Sequence, residues 1–291
     1  MVSNTANFAT MSAMVKIIDG KQIAEQIYEW CEIESNKLRA VSVVPKLIII
    51  TYNPDVPSRI YVNLKLKKAQ QLGIECELLD WSGASFTKCK IRLQKLATDD
   101  SVSAIVVQLP THNLNQYQKL LNIIPVNKDV DGLSEKSLSA IQSDTAKIIP
   151  ATPKAILTVL RGSGITLDNK NIVIIGQGKL VGLPLGIILK NQGCNVTTAN
   201  SVTANLSELT KVADVVISAT GKPAMVKGGM LKAGAVVLDA GAAEQGGKLV
   251  GDVDYASVEP IASIISKVPG GIGPVTVACM LQNVIEAAKN S

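Results

Sequence analysis

The chain holds a single histidine, His112. That excludes a His-cluster metal site and any mechanism that needs two imidazoles. Zinc would then rest on thiolates. Yet the five cysteines, Cys31, Cys76, Cys89, Cys194 and Cys279, are scattered and form no C-x-x-C pair. An odd, dispersed set of thiols reads as reduced core residues in a cytoplasmic protein. Aromatic residues are equally scarce, at 3%. The apolar share of 47% is therefore nearly all Ala, Val, Ile and Leu, which suits parallel strands buried on both faces. There is no long basic run, and the net charge is only +5. Nucleic acid and membrane are not expected partners; small anionic ligands fit this charge. No apolar run approaches the ~18 residues of a membrane span. The first 13 residues, MVSNTANFATMSA, have neither Lys nor Arg nor an apolar stretch. They are expected to be a disordered extension rather than a signal or transit peptide.

What is present is enough chain, 291 residues, for about two domains. With 18% charged residues the composition is that of a folded protein. Residues 21–39 carry Ile23, Ile27, Trp30 and Cys31 at helical spacing, and Asp19-Gly20 can cap that helix. KLIIITY (46–52), between Pro45 and Asn53-Pro54, is a buried strand. Ser58 is the expected cap of a helix that Gly73 ends. Strands at 74–81 and 104–110 flank a helix near 86–98, and a short helix follows near 115–124. This alternation predicts a parallel sheet with crossover helices. IIPATP (148–153) reads as a hinge, followed by a helix over 154–162. A second α/β series starts at NIVIIG (171–176) and continues through NVTTA, DVVISATG, AVVLDAG and ASIISKV. The last helix, 276–289, sets Val277, Met280, Leu281, Val284 and Ile285 on one face. It is expected to return to the first domain.

Gly176-Gln177-Gly178-Lys179-Leu180-Val181-Gly182 joins a buried strand to an apolar helix. This G-x-G-x-x-x-G pattern is one residue longer than the usual dinucleotide fingerprint. Glycines let a backbone approach a pyrophosphate, and the helix N-terminus offers free N–H groups. A plain strand-to-helix turn is the alternative for the bare glycine triplet. Its place in a strand–turn–helix, with parallel strands after it, favours a Rossmann-like domain. The next strand ends Thr198-Ala199-Asn200-Ser201. An acid there would bond the ribose and repel a 2′-phosphate. Its absence leans towards NADP, and the absence of Arg leaves NAD open.

Tyr61 and Lys65 stand at i and i+4 in YVNLK, on one helix face. Alone, such a pair is usually exposed. Three other elements give it interest. Gln108 ends a buried strand, where α/β sheets place ligands. Asp131 lies in Lys128-Asp129-Val130-Asp131-Gly132, where Asp129 is the competing acid. Pro269-Gly270-Gly271-Ile272-Gly273-Pro274 precedes the last helix. His112 reads as structural or merely solvated, and the lysines Lys67 and Lys68 as a solvated face.

From Lys16-Ile17-Ile18-Asp19-Gly20-Lys21 to the last helix, the sequence resembles the methylenetetrahydrofolate dehydrogenase/methenyltetrahydrofolate cyclohydrolase family. YVNLK, VVQLP, KDVDG, PATP, G-x-G-K-L-VG-x-P, VGDV and PGGIGPVT come in that family's order. The resemblance implies two α/β domains with a cleft between them. A folate-binding catalytic domain would span 14–150 with the returning helix 276–291, and a Rossmann-like NAD(P)-binding domain would span 151–275. It implies that Lys65 handles protons in the cyclohydrolase step, that Gln108 bonds this lysine, and that Tyr61 stacks on the folate. Asp131 would grip the pterin, and Leu109, Pro269 and Gly273 would line the folate site. Gly176, Gln177, Gly178, Ser201, Ala242 and Thr276 would meet the cofactor, with Thr276 near the nicotinamide. The reaction implied is oxidation of 5,10-methylenetetrahydrofolate, then hydrolysis to 10-formyltetrahydrofolate, by a homodimer; from composition alone, cytoplasm is the default compartment and no metal is expected. Hydride transfer asks mainly for proximity and orientation, whereas ring opening asks for proton transfer, which a lysine can supply.

The chain departs from the family at Gln177, where Arg or Ser is frequent, and at Asp239-Ala240-Gly241-Ala242-Ala243, which lacks the usual Ile and Asn. Other departures are Thr111-His112 after VVQLP, a longer segment over Asn53–Ser58, and Ser266-Lys267 in place of Thr-Pro. A dehydrogenase or cyclohydrolase with one activity only, and a nucleotide-binding protein without turnover, remain as alternatives.

Overall fold

The computed structural model describes residues 15–108 and 114–290. The expectations for residues 1–13, Leu109 and His112 lie outside the described residues. The chain opens with β1 (Lys16–Ile17) and α1 (Gly20–Ala40), followed by β2 (Lys46–Thr51), α2 (Val56–Gln71), β3 (Glu75–Asp80), α3 (Phe86–Ala97), β4 (Ala104–Val107) and α4 (Leu114–Leu121). Strands β3, β2 and β4, in that order, form a parallel three-stranded sheet. Side chains on a strand alternate between faces, and β2 shows what this achieves. Leu47 and Ile49 enter a core shared with α1 and α2; Ile48 and Ile50 enter one shared with α3 and α4. Asp19 caps α1 as expected, accepting from the N–H groups of Lys21 and Gln22 at 3.0 and 3.1 Å. The cap of α2 differs from expectation. Asp55 accepts from the Ser58 N–H at 2.8 Å, so Ser58 lies inside the first turn. The longer loop thus supplies a carboxylate cap three residues earlier, which is favourable at the positive end of a helix.

Beyond α5 (Glu135–Gln142) and α6 (Ala151–Gly162) come β5 (Asn171–Ile175), α7 (Gly182–Asn191), β6 (Asn195–Ala199), α8 (Leu206–Lys211), β7 (Val215–Ser218) and β8 (Val236–Asp239). A hairpin of β9 (Ala243–Gln245) and β10 (Lys248–Val250) follows, then α9 (Tyr255–Val258), β11 (Ile264–Ile265) and α10 (Ile272–Ala288). The second sheet is parallel throughout, with order β1-β11-β8-β7-β5-β6. From β5 the chain steps outward to β6, then returns to place β7 on the other side of β5. That reversal makes a crevice at the strand ends. Ile172 and Ile174 pack beneath α6, α7 and the start of α10, whereas Val173 and Ile175 face a second core reaching α9.

Two helices start earlier than the periodicity suggests. α6 begins at Ala151 and α10 at Ile272, so Pro153 and Pro274 stand in first turns, where a missing N–H costs nothing. The opening strand β1 belongs to the second sheet, paired with β11 through Lys16–Ile264 and Ile17–Ile265, and not to the sheet that follows it in sequence. α10 serves both halves. Ile272, Val275 and Cys279 pack in the core of the second sheet, and Val277, Met280, Leu281 and Val284 pack in that of the first. Among the described residues no helix is long and apolar enough to cross a membrane.

Candidate active site

The carboxyl ends of the two sheets and the start of α10 enclose a cleft with about 940 Å³ of free space, part of it open to solvent. That is ample for a ring system held beside a second ring. Tyr61, Lys65, Gln108, Asp131, Pro269, Gly273, Thr276 and Ala242 all line it.

The helix α2 sets Tyr61 and Lys65 one turn apart on the side that meets the cleft. Lys65 is only 7% exposed, an unusual place for an ammonium. Its Nζ donates to Gln108 Oε1 at 3.1 Å, so the residue at the end of β4 aims the amine. Burial raises the Tyr61 phenol above its ordinary range. Its hydroxyl would lie 2.7 Å from a Cβ on Gly273, so the bare glycine at the start of α10 lets the ring approach.

The two acids of KDVDG separate cleanly. Asp129 is 2% exposed and turned inward: it accepts from the N–H groups of Leu133 and Ser134 at 3.2 and 2.9 Å and from the Ser137 hydroxyl at 2.7 Å. It holds the loop. Asp131 faces the cleft. Burial raises its carboxyl, the Lys65 ammonium opposes that rise, and Asp129 adds to it. The site therefore sets a buried ammonium, an amide and a carboxyl of raised pKa around one space. That set can bind a polar heterocycle and move protons.

The glycine loop lies apart. Gly176, Gln177, Gly178 and Ser201 do not line the cleft, although Leu180 and Val181 of the same turn do. Gly176 to Gly178 stand at the end of β5, where it meets β7, and Ser201 stands at the end of β6. Gly176 adopts φ +101°, and a Cβ there would fall 2.3 Å from the Ala219 carbonyl oxygen. A Cβ on Gly182 would fall 1.8 Å from the Gly176 carbonyl oxygen, whereas Gly178 borders open space. No side chain caps α7. A tight turn, an open glycine and an uncapped helix start fit a pyrophosphate. Gln177 donates to the Gly176 carbonyl at 2.9 Å and braces the turn. Lys179 reaches across to Gln118 of α4 at 2.9 Å, a link between the two halves. After β6 the Asn200 side chain accepts from the Val202 N–H, leaving no acid in the region of a ribose. Sequence reasoning missed Thr152, Lys267 and Asp239 in the cleft wall. Only their position after a strand end or before a helix could have marked them. Among the described residues no group of His, Cys, Asp and Glu is arranged to hold a metal.

The chain as a whole resembles known proteins. Residues 18–131 match the catalytic domain of tetrahydrofolate dehydrogenase/cyclohydrolase, and residues 150–291 match its NAD(P)-binding domain. The chain is 38% identical to the bifunctional protein FolD of Lactobacillus helveticus, over 95% of this chain and 98% of that protein. The crystal structure of a bifunctional FolD methylenetetrahydrofolate dehydrogenase/cyclohydrolase from Campylobacter jejuni superposes with a TM-score of 0.90 at 32% identity, covering 95% of this chain and 99% of the other. The methylenetetrahydrofolate dehydrogenase-cyclohydrolase of Trypanosoma brucei, solved with NADP cofactor and an inhibitor, gives 0.90 at 30% identity, over 95% and 98% of the two chains. With its two α/β domains, its parallel sheets and matches along nearly its whole length, the chain belongs to the tetrahydrofolate dehydrogenase/cyclohydrolase family.

Proposed function

We propose that this chain oxidises 5,10-methylenetetrahydrofolate with NADP and hydrolyses the methenyl product to 10-formyltetrahydrofolate, both in the cleft between its domains. The observation that carries the reading is the buried Lys65 bonded to Gln108 and facing the same space as Asp131 and Tyr61. Tyr61 offers a ring face to the folate and Asp131 a hydrogen-bonding edge to the pterin. These two fix the one-carbon bridge, since positioning is most of what hydride loss requires. The nicotinamide cofactor, when bound, supplies the hydride acceptor. Nitrogen lone pairs on the substrate stabilise the methenyl cation, so this step needs no strong acid or base. In the hydrolysis Lys65 Nζ takes and returns the protons that water attack and ring opening move, and Gln108 Oε1 keeps the amine aimed. Gly176, Gln177, Gly178 and Ser201 would hold the phosphates and ribose, with Ala242 and Thr276 towards the nicotinamide.

NADP is favoured by the acid-free end of β6 and by the cofactor of the Trypanosoma brucei relative. Five free thiols suit a reducing compartment, so cytoplasm is the proposed location; a homodimer is proposed on the family resemblance. The intact set Lys65, Tyr61, Gln108 and Asp131 speaks against a nucleotide-binding protein without turnover. The test is Lys65→Met. Loss of the proton relay should slow methenyl hydrolysis by about 10²–10⁴, with the circular dichroism spectrum unchanged. Hydrolysis at near the original rate would refute the role of Lys65.

A further inference from the structure

Two carboxylates behind the cofactor side of the cleft have no part in the chemistry above. Asp239 ends β8 and is 2% exposed; Asp252, just after β10, is 1% exposed. Among the described residues no cation pairs with either one. Asp239 Oδ1 accepts from the N–H groups of Gly241 and Asp252 at 2.9 and 3.1 Å, and Oδ2 accepts from that of Val253 at 2.9 Å. Asp252 Oδ2 accepts from the Ser218 hydroxyl at 2.8 Å and from the Thr220 N–H at 2.6 Å. Its Oδ1 is buried with no hydrogen-bond partner. A Cβ on Gly241 would fall 2.0 Å from that oxygen. The pair is thus packed directly beneath residues 240–242, which line the cleft together with Asp239.

Burying neighbouring carboxylates without a cation is costly, and an oxygen left unbonded adds to the cost. Such an arrangement points to a use for the charge itself. Burial, with the Asp252 charge adding to it, raises the Asp239 carboxyl to about 6 against three N–H donors that favour the ionised form. Asp239 is therefore ionised at neutral pH. Salt screens a buried charge weakly; Asp239 itself lines the cleft, and Asp252 packs against Gly241 in the cleft wall.

We propose that Asp239 and Asp252 form an electrostatic pair that sets the relative affinity for the two redox forms of the nicotinamide cofactor, favouring the cationic oxidised ring over the neutral reduced one. The proposal rests on the NADP-dependent reading above. Hydride transfer removes the positive charge from that ring and creates one on the one-carbon bridge, so the charge behind the wall acts on a quantity the reaction changes. The test is calorimetric binding of NADP and of NADPH, without folate, to the full-length protein and to Asp252→Asn, Asp239→Asn and Ser218→Ala. Removing one buried charge at the cleft wall should lower the ratio of oxidised to reduced affinity by about tenfold. Ser218→Ala removes a hydrogen bond to the pair but no charge, so it should leave the ratio unchanged even if both affinities fall. Asp252→Asn is isosteric and keeps the measurement open if Asp239→Asn fails to fold. Equal weakening of both forms in Asp252→Asn would make the pair merely structural and overturn this proposal, while leaving the enzymatic reading intact. A wild-type protein that binds neither form would remove both.

Discussion

Replacing Asn283 by alanine should destabilise the protein and loosen the folate site together. Asn283 is fully buried in α10. Its Nδ2 donates to the carbonyl oxygens of Val130 and Ile149 at 3.0 and 2.8 Å, and its Oδ1 accepts from Lys154 Nζ at 2.8 Å. Lys154 keeps Glu286, at 3.1 Å, but loses its second partner. Alanine would therefore orphan two carbonyls and weaken the anchoring of a mostly buried ammonium. Each buried group left without a partner costs about 1–3 kcal/mol, so a total loss of about 4 kcal/mol is expected. For a chain of this size that lowers the melting temperature by roughly 8–16 °C. Val130 adjoins Asp131, and Ile149 lies just before α6. Hence the KM for the methylene substrate should rise more than the KM for the cofactor. Urea unfolding followed by circular dichroism gives the first quantity, and initial rates give the second. A loss below about 1 kcal/mol with an unchanged folate KM would show that this three-way junction holds nothing together.

Gly182→Ala sets a methyl group against the Gly176 carbonyl, which is backbone and cannot swing aside. Cofactor affinity measured by calorimetry should fall about tenfold or more, while methenyl hydrolysis, which uses no cofactor, should persist; unchanged affinity would remove this turn from the cofactor site. Asp239 leads to a pH prediction. Its carboxyl is raised from 3.8 to about 6, so the folded state binds that proton more tightly than the unfolded chain. Its stabilising contribution is present at low pH and is lost as pH rises through about 6. Denaturant midpoints should show a falling component across pH 4–7 that Asp239→Asn removes; the same slope in the variant would refute the assignment.

The strands carrying the site were legible because each is a short apolar run closed by turn residues: residues 46–51, 104–107 and 171–175 all stand where the pattern set them. Tyr61, Lys65, Gln108 and Asp131 are thirty or more residues apart in places, and nothing local unites them. Motif order suggested their meeting, and the ends of β4 and the side of α2 produce it. The choice between Asp129 and Asp131 was open in sequence, since both are carboxylates in one loop; in the structure Asp129 accepts from the N–H groups of Leu133 and Ser134, while Asp131 lines the cleft. β1 was invisible. Two residues carry no periodicity, and its partner lies near the other end of the chain. The junction at Asn283 and the pair Asp239–Asp252 were equally hidden, because hydrogen bonds across more than a hundred residues, or between two loops, leave no local signature.

The placement of β1 and α10 bears on how the molecule is made. As the chain leaves the ribosome, the first strand emerges long before the segment at Ile264–Ile265 with which it pairs. The first sheet likewise waits for the final helix, whose Val277, Met280 and Leu281 close its core. Neither half can therefore close its core before α10 has emerged. Cutting the gene between the halves should yield two sticky fragments in place of two working domains.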